Sequence, residues 1–292
     1  MAEIKDTLIA TDLDGTYLYP KHRFRLLDKS YTIFSKRFIA DGGHLLFVTS
    51  RNKHLYKKLN KKLGGGVDMI GCNGSLVFSN GELIKEEHFE SEKLISLMEE
   101  IERDYKPMLC MACSEKHNLV VPQKKESIIF KCYLYSQFRL GDRFVCNTKR
   151  YNWVLANDNV YKMMVFIGWG KKGKAKAERV TEELKAKYPD YEWCWSNEII
   201  EITPKGCTKS SGLSFYLDYN HISHDNVLVV GDSGNDISMF AEFQERSYCM
   251  AHGPASVRAK AKYTIKRFDE LEKVLYPSAD SKSSRRKKKK KL

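Results

Sequence analysis

The chain predicts an α/β protein: a parallel sheet with helices on both faces, interrupted by an inserted α+β segment. Three observations carry this reading. Short buried apolar runs, "TLIAT" (7–11), "HLLFVTS" (44–50) and "VDMIG" (67–71), alternate with stretches of helical periodicity. The alternation returns after residue 203 in "KSSGLSFYLDYN", "NVLVVGD" and "NDISMFAEF". Between the two lies a stretch of different texture that reads as α+β.

In chain order, "SYTIFSKRFIADGG" has apolar residues at helical spacing and stops at Gly42-Gly43. "NKHLYKKLNKKLGGG" is an amphipathic helix closed by glycines, and "VDMIGCNGSLVF" a strand running into a glycine-containing turn. In the middle, "SEKLISLMEEIERDYK" and "KAKAERVTEELKAKYP" are helical, while "KPMLCMACS", "LVVPQ", "NWVLA", "YKMMVFIGW" and "YEWCWS" read as strands. "GWGKKGKAK" reads as a solvated basic loop leading into a helix. Beyond "NDISMFAEF", "RSYCMA" and "KYTI" are short strands and "DELEKVLYP" a last helix. The expected organisation is a core from 1–81 and 204–276, an insert from 82–203, and a disordered basic tail from 277–292.

Bulk properties narrow the function classes. The 292 residues are 42% hydrophobic and 30% charged, ordinary for a globular protein. No run of about 18 apolar residues suggests a transmembrane helix. The first apolar run follows acidic residues and is too short for a signal peptide, so the cytoplasm is the expected location. Eight scattered cysteines suit reduced thiols; Cys110 and Cys113 have C-x-x-C spacing, but no second pair completes a zinc site. Of the net charge of +13, the tail "PSADSKSSRRKKKKKL" carries eight Lys or Arg against one Asp. Such a run offers salt-dependent contact with nucleic acid or an acidic membrane surface, or a nuclear address.

Chemistry gathers at strand ends. Asp12 and Asp14 in "DLDGT" follow the first strand, and a spacing of two points both the same way. In open parallel sheets that edge is where ligands bind, and two acids there repel unless a cation or proton lies between them. Thr49 closes the second strand, followed by Ser50 and Arg51; a helix N-cap is its alternative role. "TPKGCTKSSGL" offers two lysines, Lys205 and Lys209, at a turn entering a helix. In "GDSGND", Asp232 and Asp236 stand four apart with Asn235 beside them, and Gly231 and Gly234 permit close backbone approach. Asp236 could alternatively cap the next helix. Carboxylates without soft ligands suit Mg²⁺.

These stretches resemble the four motifs of the haloacid dehalogenase superfamily of phosphatases, in the family's order. "DLDGT" is similar to the nucleophile motif, "VTSR" to the phosphate-binding motif, "GCTKSSGL" to the lysine motif and "GDSGND" to the metal motif. "CNGSLVF" is similar to the Asn-Gly turn of the Cof-type branch, with Asn73 and Gly74 near the substrate entrance. The chain departs from that branch at Ser50, where the family has glycine, and at His252, where it has asparagine.

The resemblance implies a Rossmann-like core with a large cap in the insert, and a hydrolase acting on a small phosphorylated metabolite such as a sugar phosphate. It implies Asp12 as nucleophile forming an aspartyl-phosphate, and Asp14 as proton donor and acceptor. Thr49 and Lys209, the lysine in family phase, would bind phosphate. Mg²⁺ would be held by Asp12, the Asp14 carbonyl, Asp232 and Asp236, with Thr16, Ser50, Arg51, Asn73, Gly74 and Asn235 supporting the site or its substrate. A phosphomutase on the same scaffold and a non-catalytic carrier with a basic binding tail are the alternatives.

Overall fold

The computed structural model describes residues 4–20, 27–137 and 144–277. The basic run of the tail, 278–292, lies outside the described residues. The chain begins with β1 (Leu8–Thr11), α1 (Lys29–Ala40), β2 (His44–Val48), α2 (Tyr56–Leu63), β3 (Val67–Gly71), β4 (Leu76–Ser79) and β5 (Glu82–Glu86). It continues through α3 (Ser91–Tyr105), β6 (Leu109–Ser114), β7 (Leu119–Val121), α4 (Lys125–Gln137), β8 (Phe144–Cys146), α5 (Thr148–Asn157), β9 (Val160–Phe166), α6 (Gly170–Lys187), β10 (Tyr191–Ser196) and β11 (Ile199–Pro204). It returns as α7 (Lys209–Tyr219), β12 (Val227–Gly231), α8 (Ile237–Glu242), β13 (Ser247–Met250), α9 (Ala255–Arg258), β14 (Tyr263–Ile265) and α10 (Leu271–Leu275).

Local chemistry sets these boundaries. Asp28 caps α1 by accepting from Ser30 N at 2.8 Å and Tyr31 N at 3.4 Å. Tyr31, Phe34 and Phe38 then lie on its buried face, and Gly42, at φ +88°, follows its end. α2 buries Tyr56, Leu59 and Leu63 and closes on Gly64 at φ +91°.

Among the described residues the strands form two sheets. The first runs β14-β13-β12-β1-β2-β3-β4-β5, parallel from β14 to β3 and antiparallel across the last two pairings. One face packs Ile9 and Phe47 against Tyr31, Phe34 and Leu59 of α1 and α2. The other packs Leu8, Ala10, Leu46 and Val48 against Leu213 and Leu217 of α7 and Phe240 of α8. Burial on both faces explains why these strands read as continuous apolar runs.

The second sheet runs β10-β11-β9-β6-β7-β8. α3, α5 and α6 cover one face through Leu97, Ile101, Val154, Val180 and Leu184. The opposite face, with Met111, Met164 and Phe166, shares one buried cluster with Met69, Cys72 and Leu76 of the first sheet's part of the chain.

Three sequence expectations change. β5 pairs with β4 in the first sheet, so the boundary at 82 falls one strand early. β5 reads "ELIKE" with no fully buried residue; an edge strand of this kind lacks the apolar signal of its neighbours. "NWVLA" is part of helix α5, not a strand. Asn147 accepts from Arg150 N at 2.8 Å, and Tyr151, Val154 and Leu155 share the buried face, a spacing longer than a five-residue window reveals. In "GWGKKGKAK" the helix begins at Gly170, so the lysines occupy its first turns rather than a loop. No described helix is long and apolar enough to cross a membrane.

Candidate active site

β1 lies between β2 and β12, parallel to both. The chain builds outward from β1 through β2 and β3, then returns to build β12, β13 and β14 on the other side. This makes β1 a topological switch point, where the strands' C-terminal ends leave a crevice. Asp12, Thr49 and Asp232 each follow one of these three strands at that edge.

A tight turn follows Asp12. Tyr17 N donates to Asp12 O at 3.2 Å and Leu18 N to Leu13 O at 2.8 Å, with Gly15 at φ +85°. A Cβ on Gly15 would stand 2.3 Å from Asp232 Oδ2, so the turn is glycine-dependent in conformation and in space. Asp12 is buried, whereas the side chain of Asp14 is 35% exposed.

Lys209 Nζ donates to Asp12 Oδ1 at 2.6 Å and to Asp236 Oδ1 at 2.7 Å. Lys205 instead reaches the carbonyl of Pro189 at 2.7 Å on the surface, which decides between the two lysines. Lys209 opens α7, where the helix dipole disfavours a cation. Burial also disfavours its charge, but Asp12 and Asp236 outweigh both and hold its pKa above the ordinary value. The N-terminus of α7 is closed by Thr208 and Ser211, which exchange side chain-to-backbone hydrogen bonds at 3.0 and 2.9 Å.

Asp236 does not cap α8 with its side chain. Its Oδ2 accepts from the backbone of Asp232 at 2.8 Å and of Ser233 at 3.0 Å, closing its own turn. Asp232 Oδ1 accepts from Thr16 Oγ1 at 2.8 Å. Burial, then the Asp236 charge, pushes the Asp232 carboxyl up to about 7. Burial also raises Asp12 well above the carboxylate range, against the pull of Lys209. Ligand oxygens of Asp12, Asp232 and Asp236 lie within 4.8 Å of one another. One ammonium cannot balance three buried carboxylates, so burial and mutual repulsion favour protons on this group; a hard divalent cation would take their place on the same oxygens.

The remaining predicted residues surround this group. Arg51 grips Asp14. Thr49 Oγ1 accepts from Arg51 N at 3.2 Å, and its carbonyl accepts from Asn73 N at 3.1 Å. The helical cap after this loop is Asn52, which accepts from Lys53 N at 2.7 Å, so Thr49 is not that cap. Ser50 offers its backbone carbonyl to Lys162 Nζ at 2.6 Å. Gly74, at φ +105°, packs against the start of α7; a Cβ there would stand 2.1 Å from Thr208 O. Asn73 and Asn235 both donate to Glu201, at 2.5 and 3.2 Å. His252, the family departure, stacks on Tyr19 with ring centroids 3.9 Å apart and puts Nε2 3.8 Å from Asp232 Oδ2.

Lys162 and Glu201 were not anticipated. Each is a charged residue inside an otherwise apolar strand, "VYKMMVF" and "IIEITP", and that contrast is the signal available in the sequence.

A carboxylate-rich centre at the switch point of a parallel sheet is the arrangement of an α/β enzyme that takes its ligand at that edge. A family profile described as haloacid dehalogenase-like hydrolase matches residues 9–275. The phosphoglycolate phosphatase of Methanobrevibacter smithii is 26% identical over 237 residues, covering 80% of this chain and 81% of that protein. A haloacid dehalogenase-like hydrolase from B. subtilis superposes with a TM-score of 0.75 at 19% identity, over 93% of this chain and 100% of the other. A HAD subclass IIB sugar phosphatase superposes at 0.71 with 22% identity, over 92% and 98%. The chain belongs to the haloacid dehalogenase-like hydrolases.

Proposed function

We propose that this hydrolase is a phosphatase of the Cof-type branch, a Mg²⁺-dependent phosphomonoester hydrolase acting on a small phosphorylated metabolite, a sugar phosphate or a compound of similar size. The observation that carries this reading is the buried Asp12 carboxylate, held by Lys209 at 2.6 Å at the C-terminal edge of β1 with two further acids beside it. The named activities of the methanogen relative and of the sugar phosphatase support the substrate class.

Asp12 attacks phosphorus; its oxygen–phosphorus bond forms as the ester bond breaks, giving an aspartyl-phosphate. Asp14 gives its proton to the departing oxygen. It then takes a proton from the water that attacks phosphorus and releases Asp12, which restores both carboxyls. Lys209 and Thr49 hold the phosphoryl oxygens, and the fixed charge of Lys209 lowers the repulsion between nucleophile and phosphate. Asp12, Asp232, Asp236 and the Asp14 carbonyl would hold Mg²⁺, whose charge offsets that of the phosphate dianion. We assign the second sheet and its helices, residues 87–203, as a cap over this edge that limits water and selects the leaving group.

Phosphate release from a panel of sugar phosphates, phosphorylated carboxylates and nucleotides in Mg²⁺ tests the reading. Asp12→Asn is expected to fall to background with an unchanged melting temperature. A folded Asp12→Asn protein with full turnover of p-nitrophenyl phosphate would sink it.

A further inference from the structure

Two charged side chains of the second sheet reach the first part of the chain, and the reaction described above uses neither. Lys162 Nζ donates to the Ser50 carbonyl at 2.6 Å and pairs with Glu201 Oε1 at 3.2 Å. Glu201 Oε2 accepts from Asn73 Nδ2 at 2.5 Å and from Asn235 Nδ2 at 3.2 Å. Both side chains are almost fully buried, at 2% and 4% exposure.

Their partners sit on three separate loops. Ser50 follows Thr49, Asn73 donates its backbone N–H to the Thr49 carbonyl at 3.1 Å, and Asn235 precedes Asp236. We infer that Lys162 and Glu201 are a positioning pair: they hold the Ser50, Asn73 and Asn235 loops against the second sheet and so set Thr49 and Asp236 for the reaction. This rests on the hydrolase reading above.

Stability alone is a poor reason for such a pair. Taking two charges out of water costs more than their attraction commonly returns, and apolar replacements of similar size are often neutral or stabilising. Burial pushes the Glu201 carboxyl up, but Lys162 and the Asn73 amide outweigh it and hold the acid below its ordinary value. Lys162 is held above its ordinary value by Glu201 against the same burial, so both remain charged. Asn73 has a left-handed backbone, φ +55°, and its Oδ1 is buried without a hydrogen-bond partner among the described residues.

The test compares wild type, Asp12→Asn and the double variant Lys162→Met with Glu201→Leu, full length and in Mg²⁺, on p-nitrophenyl phosphate. The double variant is expected to melt at or above the wild-type temperature, to lose at least tenfold in kcat, and to change KM by less than threefold. Wild-type kcat, or a loss confined to KM, overturns the inference. Should the double variant not fold, Asn73→Gly keeps the left-handed backbone and removes the link to Glu201. Its kcat is expected to fall about tenfold at an unchanged melting temperature, and an unchanged kcat overturns the inference. A wild-type protein that releases no phosphate overturns the hydrolase reading and this inference together; a double variant at wild-type rate overturns the pair alone.

Discussion

Arg51 closes on Asp14 through two parallel contacts, Nε to Oδ2 at 2.5 Å and Nη2 to Oδ1 at 2.8 Å. The planar guanidinium matches the carboxylate in a fixed plane, and Arg51 itself is 9% exposed, so the clamp aims Asp14 from a rigid base. If Asp14 moves the proton, one of these contacts opens while Asp14 carries it, and Arg51 stabilises the carboxylate that donation leaves behind. Arg51→Ala is expected to lower kcat on an alkyl phosphate by about 10–100-fold, less than the 10²–10⁴-fold that general acid–base catalysis supplies in full, because Asp14 itself remains. The loss should be smaller on p-nitrophenyl phosphate, whose leaving group departs without a proton. Asp14→Asn should show the same bias. Equal losses on both substrates would place Arg51 on the phosphate instead.

The acidic triad predicts how the protein responds to metal. Removing divalent ions with EDTA should stop turnover, and restoring Mg²⁺ should raise the melting temperature as well as the rate. A ligand that binds only the folded state adds about 2.7 kcal/mol at a hundredfold excess over its Kd. Asp232→Ala should abolish most of that thermal shift. An equal shift in the variant would move the cation away from Asp12, Asp232 and Asp236.

Two glycines with similar backbones separate strain from contact. Gly15 has φ +85° and Gly64 φ +91°; a Cβ on Gly15 would strike Asp232, while one on Gly64 meets nothing within 4 Å. Alanine at either site should cost about 1–3 kcal/mol of stability through the left-handed backbone. Only Gly15→Ala should also lose activity and the Mg²⁺-induced thermal shift. Full activity in a folded Gly15→Ala protein would mean that the Asp12 turn tolerates displacement.

Glu201 sets a pH dependence of stability. Its folded pKa lies below the ordinary 4.5, so the folded state resists protonation of this group. The stabilisation is fully present above 4.5 and is lost as pH falls through the folded value. The gap in melting temperature between wild type and Glu201→Gln should therefore narrow as pH drops below about 4.5. A gap that stayed constant down to acid unfolding would show that the carboxylate is not held by Lys162.

The readable parts of this protein were local ones. Asp12, Thr49 and Asp232 each follow an apolar run of four or five residues, and such runs are legible because β1, β2 and β12 are buried on both faces. β5 escaped notice because an edge strand needs no apolar pattern, and α5 because "NWVLA" carries too few turns to show its period. Thr49 and Asp236 each had a second role open as a helix cap. The hydrogen bond to Asn52 removed it for Thr49; Asp236 keeps a capping part through Oδ2, which accepts from Ser233 N in the turn before α8, while its Oδ1 takes Lys209.

By itself the sequence determined the family, the parallel core and the order of the stations around its edge, since each is written in one short stretch. Tertiary structure decided which lysine enters the site and which charges pair within it. Lys205 and Lys209 share one turn, and only the packing of α7 against the sheet buries the second between Asp12 and Asp236. Lys162 is 39 residues from Glu201 and 112 from Ser50, and Glu201 is 128 from Asn73. Contacts at such separations arise when two sheets meet, and no local pattern records them.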